Sequence, residues 1–120
     1  MENYMQLIQN CLSIIQMRRS EKMEEMFSFG EFGLKPMFLE KYTPLKQILD
    51  SGVAEEVNIG IYKNGALVLE AVDKETFKSL YEQVALKVLE IEEKYQAYLV
   101  ELNNQPTEER LHFIIEHQVF

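Results

Sequence analysis

The dipeptide Asn64-Gly65 constrains the fold of this chain more than any other feature. It separates two apolar runs, and Asn-Gly is the preferred pair for a two-residue type I′ turn because both turn positions need a positive φ. Such a turn fixes the register of the strands on either side. The pairs expected from it are Tyr62 with Leu67, Ile61 with Val68, and Val57 with Val72. We therefore predict a β-hairpin over Val57–Val72.

Both faces of this hairpin are mostly apolar. One face carries Val57, Ile59, Ile61, Val68 and Val72, interrupted by Glu70. The other carries Gly60, Tyr62, Leu67, Leu69 and Ala71. Two strands alone are marginally stable in water, so we expect helices to cover the hairpin on both sides.

A long helix is predicted over Lys74–Asn103, with Asp73 as its N-cap. Its main apolar residues repeat at spacings of four and three, which is a heptad seam. The seam consists of Phe77, Tyr81, Val84, Val88, Ile91, Tyr95, Tyr98 and Leu102. Two interpretations stay open: the seam packs inside one chain, against an N-terminal helix, or it joins two chains in a homodimer.

Three further segments are read from their spacing. Apolar residues at helical intervals predict a first helix over Tyr4–Met17, which can continue as far as Phe27. Thr43-Pro44 is typical of a helix start, with Gly52 at its end. Residues 107–120 fit a helix, although Leu111, Phe113 and Ile115 also alternate as a strand does. The fold class is thus α+β and mainly helical, with one β-hairpin packed against a long helix in the C-terminal half, in a single domain of residues 1–120.

Residues 27–42 differ from the rest of the chain in being rich in aromatic residues. Five aromatic residues fall within this segment, and glycine and proline between them argue against a long regular element. They are Phe27, Phe29, Phe32, Phe38 and Tyr42. Aromatic residues dominate binding hot spots, so these five are the candidate partner-binding residues. The alternative is that the rings fill one end of the core beneath an irregular loop.

No catalytic, metal or cofactor site is predicted. His112 and Glu116 share a helix face, but a zinc site needs at least three protein ligands, and His117 and Cys11 do not complete one. The adjacent carboxylate pairs are interpreted as solvated faces, because neighbouring helical residues point about 100° apart. Gly30–Gly33 lacks the spacing and the lysine of a phosphate loop.

Composition narrows the environment and the partners. The chain has 120 residues, a net charge of −8 and one cysteine, and its first residues lack the pattern of a signal peptide. We expect a cytoplasmic protein that binds neither nucleic acid nor a membrane, because phosphate groups repel carboxylates. An acidic surface suits a basic partner and also suits solubility.

In size, acidity and lack of motifs the chain resembles the small phage-encoded inhibitors of bacterial defence systems. These include anti-CRISPR proteins and the inhibitor of sirtuin-domain, NAD-depleting defence proteins, and toxin immunity proteins are similar. The resemblance implies tight binding of a host protein in the host cytoplasm. Our leading hypothesis is a non-enzymatic protein-binding module that occupies a larger partner. The alternatives are a homodimeric structural or assembly protein that uses the heptad seam, and a small-molecule-binding domain or enzyme with its pocket between the hairpin and the long helix.

Overall fold

The structure, a computed structural model, describes residues 3–52 and 55–120. These residues form four helices and a four-stranded antiparallel sheet, so the predicted α+β class is confirmed. The elements in chain order are α1 (Tyr4–Glu24), β1 (Phe27–Phe29), β2 (Phe32–Leu34), α2 (Met37–Asp50), β3 (Glu56–Lys63), β4 (Ala66–Asp73), α3 (Lys74–Leu102) and α4 (Glu108–His117). The strands lie in the order β1-β2-β3-β4, which makes β4 an edge strand.

The β3–β4 hairpin has the register that its turn dictates. Asn64 and Gly65 have φ values of +50° and +80°, as a type I′ turn requires. The pairs Tyr62–Leu67, Ile61–Val68 and Val57–Val72 are all present. This part of the sequence-based prediction is confirmed in full.

The inner face of the hairpin packs against the first half of α3. Ile59 and Ile61 are fully buried there, together with Phe77 and Val84 of the helix. The helix begins where predicted, because the Asp73 carboxylate accepts a hydrogen bond of 2.7 Å from the backbone N–H of Thr76. The predicted packing of a long helix on the hairpin is therefore confirmed.

The outer face of the hairpin departs from the prediction. Leu67 and Leu69 on β4 remain 61% and 75% exposed, so the expectation that both faces are covered is wrong for this strand. On the β3 side, α2 borders this face at Gly60, where the Tyr42 hydroxyl accepts the Gly60 N–H at 2.7 Å. The sheet has helical cover on one side and partial cover on the other.

Residues 27–42 are more regular than predicted. β1 and β2 form a second hairpin, and its turn begins at Gly30 with φ +65°. α2 then starts at Met37, so the predicted start at Thr43-Pro44 is wrong, and Pro44 lies inside the helix. The reason is an apolar stripe that runs through this helix at spacings of four, three and four residues. The stripe consists of Phe38, Tyr42, Leu45 and Leu49, which all belong to the sheet core or pack against it.

The chain divides into two compact units. The sheet unit is Glu24–Val88, and its core is the one just described. The helical unit contains the chain up to Met23 together with Leu89–Phe120. Its core consists of Leu7, Cys11, Ile15, Leu102, Leu111 and Ile114.

The structure answers two questions that the sequence left open: where α1 ends, and whether residues 107–120 form a helix or a strand. α1 continues beyond Met17 to Glu24. The tail is a helix, since the Thr107 side chain caps α4 by accepting the Arg110 N–H at 3.1 Å. Arg110 also donates two hydrogen bonds, of 2.7 and 3.2 Å, to the Glu101 carboxylate, which joins α4 to α3.

The heptad seam of α3 is used inside the chain. Phe77 and Val84 are buried in the sheet unit, with Tyr81 and Val88 packed beside them. Leu102 is buried in the helical unit, where the rings of Tyr95 and Tyr98 pack against the same core as α1. Seven of the eight seam residues therefore pack within one chain, and the homodimer stays a prediction.

Candidate functional site

The five predicted partner-binding aromatics do not form one exposed surface. Phe38 and Tyr42 are buried on α2, with ring centroids 4.7 Å apart. Phe27, Phe29 and Phe32 lie on β1 and β2, where they are half-buried and pack against the sheet core. All five rings thus contribute to the core, and their role in binding a partner remains a prediction.

The three most exposed large apolar side chains among the described residues of the sheet unit lie instead on or beside the outer face of the β3–β4 hairpin. Leu67 and Leu69 project from β4, and Met37 at the start of α2 is 64% exposed. Sequence reasoning missed this surface because it assumed that apolar alternation on both faces implies cover on both faces. The sequence carries no signal for it, because the edge position of β4 follows from the order of the strands in the sheet.

The backbone edge of β4 is also open. In a type I′ hairpin the strand hydrogen bonds alternate, and the bond of 2.9 Å from Lys74 N–H to the Glu55 carbonyl sets their phase. The N–H and C=O groups of Leu67, Leu69 and Ala71 consequently point away from β3. Within the part of the chain that the structure describes, no strand pairs with this edge.

An apolar cavity of about 200 Å³ opens beside Leu67, between α2 and the outer face. We call it the side-chain cavity. It is lined by Leu34, Lys35, Met37, Phe38, Lys41, Tyr42, Gly60, Tyr62 and Leu67. Gly60 keeps it open: a methyl group at this position would lie 3.5 Å from both Leu67 Cδ1 and the Tyr42 hydroxyl, and 3.9 Å from Lys41 Nζ.

Every charged residue that lines the side-chain cavity is a lysine. Lys35 Nζ lies 5.3 Å from the centroid of the Tyr62 ring, and Lys41 Nζ lies 5.4 Å from that of Tyr42. Among the described residues neither lysine has a carboxylate partner, whereas Lys63 lies 3.0 Å from the Glu70 carboxylate. The lining of the cavity is therefore positively charged in a chain whose net charge is −8.

A second, larger depression lies between the β1–β2 hairpin and α3. It has a volume of about 780 Å³ but is shallow, and Phe29 and Phe32 form part of its wall. Its two charged residues, Glu75 and Lys87, are twelve positions apart on α3, or about 18 Å along the helix axis. That separation is too long for the pair to act on one reacting group.

The remaining reactive side chains are dispersed. Burial raises the pKa of the Cys11 thiol, which donates a hydrogen bond to the Leu111 carbonyl at 3.3 Å. The ring of His117 lies against Phe113, with centroids 4.3 Å apart. In residues 3–52 and 55–120, no three His, Cys, Asp or Glu side chains come together as ligands for a metal ion. Nor does this part of the chain contain a helix with the length and apolar character needed to cross a membrane.

The chain matches no protein-family model, no curated protein and no solved structure. The site must be interpreted from its own geometry.

Proposed function

We propose that this protein is a non-enzymatic module that binds a larger protein through the outer face of its β3–β4 hairpin. The observation that carries the proposal is the exposure of Leu67 and Leu69 on an edge strand whose outward backbone groups pair with no other strand among the described residues. A contiguous patch of exposed apolar side chains on a protein surface often marks an interaction site.

The open edge favours one mode of binding. An extended segment of the partner adds to β4 as a further strand and bonds to the free N–H and C=O groups of Leu67, Leu69 and Ala71. Its side chains on the outer face then pack over the two leucines. In this mode the main chain supplies affinity, and the pockets beneath alternate side chains supply specificity.

The biological form that we propose is inhibition by occupancy. A module of this size that holds an extended segment of a host protein blocks whatever that segment contacts, without chemistry of its own. This is the behaviour that the resemblance to phage-encoded inhibitors of bacterial defence implies, with the host cytoplasm as the place of action.

The test compares matched leucine variants in affinity capture from a lysate of the native host. Leu67→Glu and Leu69→Glu place a carboxylate within the proposed interface. The control is Leu86→Glu, which places a carboxylate outside that interface, on α3, at a leucine that is 60% exposed. A protein retained by the wild type and by Leu86→Glu, but lost by the β4 variants, is identified and purified.

The dissociation constant of the complex with this captured protein should rise at least tenfold for either β4 variant, because an unpaired carboxylate is costly to bury. Equal affinity for all four proteins would exclude the outer face as the binding surface.

A further inference from the structure

We infer that the side-chain cavity receives one aromatic or branched aliphatic side chain of the partner, and that this side chain stands next to a carboxylate in the partner's sequence. The inference rests on the proposed function and gives the chemistry of the segment that the outer face binds. It follows from the size of the cavity, its charge and its position.

The size of the cavity selects a single side chain. Its volume of about 200 Å³ exceeds that of an engineered protein cavity of roughly 150 Å³ that binds benzene. It is smaller than the roughly 300–1,000 Å³ of pockets that hold a complete small-molecule ligand. The walls contributed by Leu34, Phe38 and Leu67 are apolar, so the group that fills the cavity is apolar as well.

The polar groups at the cavity select a neighbouring anion. Lys35 and Lys41 line it without a carboxylate partner among the described residues, although the chain contains 20 Asp and Glu residues. Lys41 Nζ lies close to Gly60, which also lines the cavity, since a methyl group on Gly60 would lie 3.9 Å from it. A carboxylate beside the bound side chain would thus meet two ammonium groups and no acid.

The Tyr42 hydroxyl adds a third donor. It already accepts the Gly60 N–H at 2.7 Å, and this is its only hydrogen bond to the part of the chain that the structure describes. Its own hydrogen is therefore free to be donated to an oxygen beside the bound side chain. Two cations and one hydroxyl form a site that is complementary to an oxyanion.

The position of the cavity identifies a peptide as the occupant. Leu67 is at once a wall of the cavity and a member of the open β4 edge. A segment that pairs with β4 lies next to Leu67, on the side of β4 away from Gly60, so the side chain that enters the cavity is one long enough to cross Leu67. A free small molecule would fill the cavity but leave Leu69 exposed.

The experiment titrates the ¹⁵N-labelled full chain with blocked pentapeptides and follows the backbone amide signals by NMR. The lead probe has a central phenylalanine flanked by aspartates. We expect saturable shifts at Gly60, Tyr62 and Leu67. Replacing the aspartates by asparagines should weaken binding about threefold to tenfold, as expected for the loss of two exposed ion pairs. A lysine-flanked probe, and one with alanine in place of phenylalanine, should not saturate.

Three variants localise the effect. Lys41→Gln should remove most of the preference for aspartate over asparagine, whereas Lys87→Gln, which removes a lysine that does not line the cavity, should leave it unchanged. Gly60→Met should fill the cavity and abolish the shifts. If Gly60→Met fails to fold, the Lys41→Gln comparison still decides.

Several results would overturn the inference. One is equal binding of the lysine-flanked and aspartate-flanked probes, and another is an absence of saturable shifts at Gly60 and Leu67. Binding of 3-phenylpropionate as tight as that of the lead probe would point to a free carboxylate ligand. A dimer in light scattering that Lys41→Gln dissociates would assign the cavity to a second copy of this chain.

The two proposals fail separately. If partner capture depends on Leu69 but no peptide probe shifts the Gly60 amide signal, the proposed function stands and the assignment of the cavity is wrong. Capture that is indifferent to Leu69 removes the proposed function, and the probes then report only on the cavity.

Discussion

Replacing one side chain on each face of the β3–β4 hairpin by alanine tests whether the outer face is exposed, as the candidate site requires. Ile61 on β3 is fully buried, whereas Leu69 on β4 is 75% exposed and faces the opposite side of the sheet. Ile61→Ala removes buried carbon atoms and leaves a cavity, for which the expected loss is about 2–5 kcal/mol. Leu69 buries only about a quarter of its surface, so Leu69→Ala should lose about a quarter of the ~1.5–3 kcal/mol of full burial, or ~0.4–0.8 kcal/mol.

Urea denaturation followed by far-UV circular dichroism measures both free energies of unfolding. A thermal melt should agree: at roughly 4 °C for each kcal/mol in a chain of this size, Ile61→Ala lowers Tm by about 8–20 °C and Leu69→Ala by about 2–3 °C. The control is an unchanged m value, which shows that the variants expose the same surface when they unfold. A loss above about 2 kcal/mol for Leu69→Ala would show that this leucine is buried. The outer face would then not be a binding surface.

Three other predictions follow from single residues. The pKa of Asp73 lies below its usual value of 3.8 because its carboxylate accepts a hydrogen bond from the Thr76 N–H. The stability that this carboxylate contributes is therefore present above pH 3.8 and is lost as the pH falls through the lowered pKa. Urea denaturation should accordingly find Asp73→Ala less stable than wild type at neutral pH, with the difference shrinking in acid; a constant difference would contradict the cap. Gly65→Ala should lose about 1–2 kcal/mol in the same assay because φ is +80° there, whereas Gly60→Ala, whose methyl group meets nothing closer than 3.5 Å, should lose much less. Burial raises the pKa of Cys11, so a thiol reagent should label it only as fast as the chain opens; rapid labelling of the folded protein would refute this.

The features that sequence reasoning predicted correctly are set by residues close together in the chain. Asn64 and Gly65 determine the turn and register through their own φ values. Asp73 caps α3 through an N–H three residues away. Thr107 does the same for α4, in a tail for which the sequence left helix and strand open. Each depends on local stereochemistry that no distant contact overrides.

The start of α2 shows where such reasoning fails. Thr43-Pro44 carries a local signature of a helix start, yet the helix begins six residues earlier, at Met37. Burial of Phe38 and Tyr42 against Phe77 offsets the hydrogen bond that Pro44 cannot donate. The spacing of these rings was visible in the sequence, but their partner lies more than thirty residues away. The Gly30-Glu31 turn, by contrast, carries a local hairpin signal, with glycine at the first turn position, that could have been used.

The candidate site was beyond sequence reasoning for a similar reason. Lys41, Gly60 and Leu67 line one cavity but come from α2, β3 and β4. Nothing in the periodicity of any one element brings them together. The exposure of β4 was equally hidden, because apolar alternation looks the same on a covered strand and on an edge strand.

The open edge of β4 also affects the tendency of the purified protein to aggregate in solution. This strand contains none of the prolines and lysines with which many soluble proteins protect a sheet edge. Its acidic residues are Glu70, which forms an ion pair with Lys63, and Asp73. Mutual repulsion between molecules of net charge −8 is then the main obstacle to edge-to-edge coalescence. That repulsion vanishes near the isoelectric point of about 4.8, where turbidity and fibrous precipitate should form first. Concentrated samples are best kept well above that pH and at low ionic strength.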